Sequence, residues 1–398
     1  MYKDNAKQIS VRHKNWTECD QRGGISMTYD SLKSLVDELV TKVEDQGNST
    51  KMLESEYFES LQLDPTNFKE IKEITKPKKI AYVDGGNREL LRATNYVVEL
   101  NHLYFSIFQG RERIIPLQLN PRIEFFSYVV SKINKRGSKS EIFYDTNLFP
   151  YKLENKKLLP EPSDLSFSST DRTMTIGNQR AVINSVSAIA RRFSEKSFAY
   201  EIVENELSEG DILILDGSLQ NSFTNERKYS KKLFDAGLKN GVIICGLTKT
   251  STLFTDTGTS LLGSVSSISE EVKLGRWYIP VAIPKFEDVK GMIFVVKLHP
   301  QSEHVFRFEI FIDQYNELNE QQIDDIFSSL ASNSNDLAML GYPYGLIDAD
   351  THARVRLSDK EFYHNILLSE ISRHPEWKKI MVHSKTHTAH DDLNLAVG

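Results

Sequence analysis

IAYVDGG at residues 80–86 and DILILDGS at residues 211–218 decide how this chain folds. Each is a short apolar run that ends in Asp-Gly, at Asp84-Gly85 and at Asp216-Gly217. Continuous apolar runs of this length mark strands covered on both faces, and the glycines suggest a tight turn after each strand. An acid at the carboxyl end of a buried strand borders the crevice where open α/β sheets bind ligands. Two such acids on neighbouring strands repel unless a cation lies between them, and hard divalent ions such as Mg²⁺ or Mn²⁺ are held by carboxylates and water. The alternative is two ordinary Asp-Gly turns.

Between these strands, residues 93–119 are rich in β-branched and aromatic side chains, which predicts an antiparallel meander with turns at Asn101-His102 and Gln109-Gly110. Residues 120–178 are polar and Lys-rich, contain Pro150, Pro160 and Pro162, and read as an insertion carrying some helix. From 178 to 207 the period becomes helical, with Val182, Val186, Ile189, Ala190, Phe193, Ala199, Ile202 and Val203 on one stripe. After DILILDGS come a helix at NERKYSKKLFDAGLKNG, a strand at VIICGL, strands at 292–298 and 305–311, and a helix at 319–331.

Geometry locates a third acid. The strand from Asp211 to Asp216 rises roughly 17 Å, and the preceding helix, at ~1.5 Å per residue, comes level with Asp216 about 11 positions before its end. That position is close to Glu195, which shares a stripe with Ala199 and Ile202. Glu201 is the competitor, and Arg191 or Arg192 offers Glu195 a plain salt bridge instead. A fourth element, GYPYGLIDADTHARV at 341–355, packs Tyr342, Tyr344, Asp348, Asp350 and His352 into eleven positions. His352 is suited to ligate a metal or to handle a water's proton, and the Tyr344 phenol to hydrogen-bond a phosphate. Asp348 and Asp350 each read as a ligand or a helix cap.

Together these segments resemble the NurA family of nucleases. The resemblance rests on AYVDGG, on RRFSEKSFAYE leading into ILILDGSL, on ICGLTKTS, on FVVKLHP followed by FRFEIF, and on GYPYGLIDADTHARV, spanning about 80–356. It implies an α/β fold with an RNase H-like mixed sheet flanked by helices, a homodimer, and Mn²⁺- or Mg²⁺-dependent cleavage of DNA beside a hexameric HerA-type ATPase. It also implies Asp84, Glu195 and Asp216 as acidic ligands, with Tyr344 and His352 completing the site. Two ions, with Asp84 bridging, would give a two-metal hydrolysis.

On this reading residues 1–75 form a helical lid or dimerisation region, with Leu32, Leu35, Val36, Leu39 and Val40 at helical spacing. Residues 76–358 form the RNase H-like nuclease domain with its insertion around 120–178, and 359–398 a C-terminal helix and tail. Lys249 and Lys297 follow strands and are candidates to contact DNA phosphates, as are Arg227 and Lys228 just after LDGS. Further basic groups stand at Lys76, Lys78 and Lys79 and at Lys132, Lys135, Arg136 and Lys139, and any of them serves equally well as a solvated face. His383, His387 and His390 read as incidental surface histidines.

Composition narrows the alternatives. The 398 residues carry 49 Lys+Arg against 55 Asp+Glu, a net charge of −6, which argues against coating nucleic acid by bulk charge. DNA affinity must then come from local basic groups and bound metal, and should be weak and salt-sensitive in the isolated chain. Two cysteines, Cys19 and Cys245, without a CxxC pair exclude a disulfide scaffold or a zinc ribbon. No signal-like or membrane-spanning stretch appears, so the expected compartment is the cytoplasm. No Walker A motif occurs, so DNA translocation would need a separate ATPase. Two other classes compete: a sugar or acetate kinase-like ATPase, which lacks convincing phosphate loops here, and a non-catalytic module docking on a DNA translocase. Processing of DNA ends and defence against phage both fit the leading reading.

Overall fold

The computed structural model describes residues 25–44, 49–136, 139–175 and 177–384. Thirteen of the described strands join in one mixed sheet. The first eight are β1 (Phe58–Ser60), β2 (Lys69–Glu70), β3 (Lys79–Ala93), β4 (Tyr96–Gln109), β5 (Glu112–Ile114), β6 (Arg122–Arg136), β7 (Lys139–Pro150) and β8 (Ser166–Ser168). The others are β9 (Ile212–Asp216), β10 (Ile243–Thr248), β11 (Trp277–Pro284), β12 (Gly291–Lys297) and β13 (Phe306–Phe311). The main helices are α1 (Ile25–Glu44), α2 (Ile183–Asn205), α3 (Glu226–Asn240), α4 (Leu261–Val272), α5 (Glu320–Ser332), α6 (Tyr344–Ala353) and α7 (Leu357–Arg373).

At the centre the strand order is β6-β4-β3-β9-β10. β9 pairs in parallel with both β3 and β10, while β4 is antiparallel to β3 and β6 to β4. This is the arrangement expected of an RNase H-like core. Three antiparallel strands, β13, β12 and β11, extend it beyond β10, and the β6–β7 hairpin with β8 extends it on the other side.

Alternation along β3 explains the two-sided core. Ile80 and Tyr82 pack with Ile326, Phe327, Leu330, Leu346 and Ala349 of α5 and α6. Ala81 and Val83 pack with Phe198, Ala199, Ile202 and Val203 of α2 and Leu233 and Phe234 of α3. Helices thus cover both faces of β3 at Ile80–Val83 and of β9 at Ile212–Leu215, and these stretches are continuously apolar for that reason.

Several expectations change. The VDGG segment is not a turn, because β3 runs unbroken through Asp84, Gly85 and Gly86 to Ala93. Asn101-His102 likewise lies inside β4, and the β3–β4 reversal falls at Thr94-Asn95. Residues 120–178 are mostly sheet, with long paired strands and two short 3₁₀ segments at Leu153–Leu158 and Pro162–Leu165 where a helix-bearing insertion is expected. Alternation between buried and exposed sides along β6, at Ile123, Phe125 and Val129, is the strand signal that its lysines obscure. In the N-terminal region α1 is helical as expected, and its Leu32, Leu35, Val36, Leu39 and Val40 are each more than half exposed. Residues 49–70 instead supply β1 and β2, edge strands on β11. Cys19, His387 and His390 lie outside the described residues, and Cys245 is buried in β10. Among the described residues no helix is long and apolar enough to cross a membrane.

Candidate metal centre

Side-chain alternation places Asp84 on the α6 face of the sheet, the side taken by Ile80 and Tyr82. Asp216 ends β9 on the same face as Ile212 and Ile214. Val83 pairs in register with Leu215, so the two acids emerge side by side. α6 lies across this face, and it brings a third carboxylate. One oxygen from each of Asp84, Asp216 and Asp350 falls within a group whose members all lie within 4.8 Å of one another.

The two glycines after Asp84 are contact points for helices on opposite faces. A methyl group on Gly86 would overlap the Ala353 carbonyl oxygen, so α6 rests its C-terminal end directly on β3. A methyl group on Gly85 would overlap the Glu195 carboxylate, which comes from α2 on the other face. Glu195 is therefore beside the centre without joining the three-acid group. Its carboxylate is paired with Arg191, one turn earlier, and Arg191 also donates to the Gly85 carbonyl at 2.7 Å. Glu195 thus makes the Arg191 salt bridge that is the alternative to a ligand role, with its carboxylate resting against β3 at Gly85. Glu201 bonds Asn205 instead and lines a separate pocket with Tyr200 and Lys232.

The electrostatics fit a cation site. Burial, then the charges of Asp216 and Glu195, push the Asp84 carboxyl up to about 8. Burial also raises Glu195, against the opposing pull of Arg191 and Arg192. Lys249, at the end of β10, donates to Asp216 Oδ2 at 2.8 Å and lies 3.8 Å from Asp350 Oδ1. Burial disfavours its charged form, but the bond to Asp216 and the charges of Asp350 and Asp84 hold its pKa above the usual value. Tyr342 is 1% exposed, its hydroxyl has no hydrogen-bond partner, and Asp216, Asp84 and Asp350 all raise its pKa beyond the effect of burial. An all-oxygen donor set, crowded carboxylates and an unpartnered buried hydroxyl suit a hard divalent cation such as Mg²⁺ or Mn²⁺.

The loop after Asp216 is pinned from both directions. Fully buried Glu226 accepts from Arg192 Nε at 2.5 Å, Lys196 Nζ at 2.6 Å and the backbone N–H groups of Ser222 and Phe223 at 2.6 and 3.0 Å. Glu309 accepts from the Leu219 N–H at 2.9 Å.

The other expected residues lie elsewhere. His352 leaves α6 two positions after Asp350, about 200° around the helix at ~100° per residue. It stacks on Tyr104 with centroids 4.6 Å apart, and its Nδ1 lies 2.8 Å from the Asp348 carbonyl oxygen. Asp348 is itself paired with Arg113 at 3.0 Å. Tyr104 stands directly across from Asp84 on β4, so His352 flanks the centre from the far side of α6. Tyr344 starts α6, rests its ring edge-on against Phe108, and lines a cavity with Arg111 and Asn335. Lys297 ends β12, three strands from β9. Arg227 and Lys228 lie on α3, across the sheet from Asp84, and are paired with Glu287 and Asp164. The sequence leaves Asp350 open between ligand and helix cap and assigns Tyr342 no role, whereas the structure sets Asp350 in the three-acid group. The helical phase of GLIDADTHA carried the signal, because Asp348 and His352 share one flank of that helix and Asp350 takes the other.

A sequence model of the NurA domain matches residues 78–355. Among solved structures, the NurA nuclease from Sulfolobus solfataricus superposes with a TM-score of 0.51, at 12% identity, over 88% of this chain and 98% of that one. The Argonaute of A. aeolicus overlaps with a TM-score of 0.27 at 11% identity, over 71% of this chain and 29% of that one. Comparison with curated proteins finds no match.

Proposed function

The chain belongs to the NurA family and is a nuclease, and from that premise we propose that it is a divalent-metal-dependent deoxyribonuclease whose centre is the group formed by Asp84, Asp216 and Asp350. One observation carries the reading: three carboxylates from β3, β9 and α6 converge within 4.8 Å in a partly buried site. A cation bound there would neutralise the carboxylates, acidify a water and stabilise the leaving oxygen of a phosphodiester.

The chain's own groups have distinct tasks in this proposal. Asp84, Asp216 and Asp350 would hold the cation. Glu195 is the fourth carboxylate, and it is free to serve a second ion once Arg191 turns to a phosphate. Lys249 leaves Asp216 and contacts a phosphate oxygen. His352, oriented by Asp348 and stacked on Tyr104, meets the DNA from the other flank of α6.

A homodimer working with a HerA-type translocating ATPase, in DNA end processing or phage defence, completes the proposal; its support is the family resemblance. The test is cleavage of end-labelled linear DNA with Mn²⁺ or Mg²⁺. We expect cleavage that chelation stops and that Asp84→Asn removes. Cleavage that persists in both conditions overturns the assignment.

A further inference from the structure

The geometry points to Tyr342 as a positioning residue of this centre, its buried phenol donating a hydrogen bond to a water in the cation's shell. The inference rests on the metal-centre reading above and adds a residue to it.

Tyr342 is fixed on all sides except at its hydroxyl. Its N–H donates to Met339 O at 3.1 Å, and its ring packs against Phe306 at 5.2 Å inside the cluster that holds Tyr82 and Leu346. The preceding Gly341, at φ +85°, lies against Ser302, where a side chain would collide. Lys249 covers one face of the ring, with Nζ 5.4 Å from the centroid. A phenol held this firmly does not turn away to seek water. Burying a hydroxyl without a partner is unfavourable, and a phenylalanine would fill the same space without that cost. The same Lys249 Nζ that covers the ring lies 2.8 Å from Asp216 Oδ2 and 3.8 Å from Asp350 Oδ1, so the phenol is buried beside the acid group. A water in the shell of a cation bound by those acids is the acceptor that would satisfy it. Hydrogen bonds of this kind orient the groups around a metal and tune its affinity.

Tyr344 contrasts with it. Its ring is 39% exposed and set at the far end of α6, against Phe108, four residues along β4 from Tyr104. Of the two tyrosines in GYPYG, the buried one packs under the lysine that bonds Asp216.

The experiment is titration calorimetry of Mn²⁺ into the full chain, wild type and Tyr342→Phe, with melting in EDTA and steady-state DNA cleavage alongside. We expect Tyr342→Phe to melt in EDTA at or above the wild-type temperature, because it loses only an unpartnered hydroxyl. We expect it to bind Mn²⁺ roughly 10-fold more weakly and to lower kcat at saturating Mn²⁺ with KM for DNA little changed. Wild-type Mn²⁺ affinity and kcat in this variant overturn the role of the phenol alone. If the wild type itself shows no Mn²⁺ binding that depends on Asp84, the metal centre falls first. A Tyr342→Phe protein that melts far below wild type in EDTA would also count against the inference, since the hydroxyl would then be supporting the fold.

Discussion

Lys249 sits 2.8 Å from Asp216 Oδ2, so an ammonium group lies within the carboxylate group proposed to take up a divalent cation. Lysine and metal therefore compete for the same oxygens. Lys249→Met should bind Mn²⁺ more tightly, by on the order of tenfold for removal of one partly screened neighbouring charge, and yet cleave DNA more slowly. Calorimetry and cleavage rates measured on the same preparation check the opposed signs; weaker Mn²⁺ binding would show that Lys249 supports the site instead.

Asp350 and His352 separate two geometries of the centre. Asp350→Asn should weaken Mn²⁺ binding about as severely as Asp84→Asn. His352→Gln should leave Mn²⁺ affinity within about twofold, because the imidazole lies on the other flank of α6 with Tyr104 and Asp348 and a direct ligand would cost far more. A reversed order would place the histidine in the metal's shell.

Gly85→Ala tests the approach of Glu195. The added methyl meets the Glu195 carboxylate and comes within 2.9 Å of Leu103 Cδ2. Overpacking at such a point costs about 1–3 kcal/mol, so the variant should fold with a lowered melting temperature and lose most of its cleavage. Full activity would mean that Glu195 has no need to stay beside β3.

Glu226 gives a prediction in pH. Burial alone would raise its carboxyl, but Lys196 and Arg192 hold it below the usual value. A group with a depressed folded pKa stabilises the protein above its unfolded pKa of about 4.3, and that stability is lost as pH falls through the folded value. Glu226→Gln should therefore melt well below wild type at pH 7, by about 3–5 kcal/mol when buried Lys196 and half-buried Arg192 lose their partner. The gap should narrow below about pH 4. A gap independent of pH, followed by thermal melts across the acid range, would mean the charge is not what matters.

Legibility in the sequence followed burial. Strands β9 and β10 and helices α2, α3 and α5 stand out because each has a buried stripe or run that side-chain periodicity reports directly. Asp84 and Asp216 were readable for the same reason, as acids at the ends of such runs. The VDGG turn misled because glycine serves two purposes, reversal and close approach, and composition does not distinguish them. The β6–β7 hairpin hid because Lys132 and Lys135 sit on exposed positions of a strand only half covered. Asp350, in turn, needed the phase of a helix whose start at Tyr344 is set by Pro343 and by contacts from Asn333, the latter invisible in the local sequence.

α6 lies on β3 through Gly86, yet its Asp350 is among the last residues of the nuclease region to be synthesised. A chain emerging N-terminus first can pair β3 with β4 and later with β9 while it still has only two of the three acids in place. The three-acid group is thus assembled only when a late helix docks on an early strand, and if that group is the metal centre proposed above, the growing polypeptide lacks a complete centre until that last seat is taken.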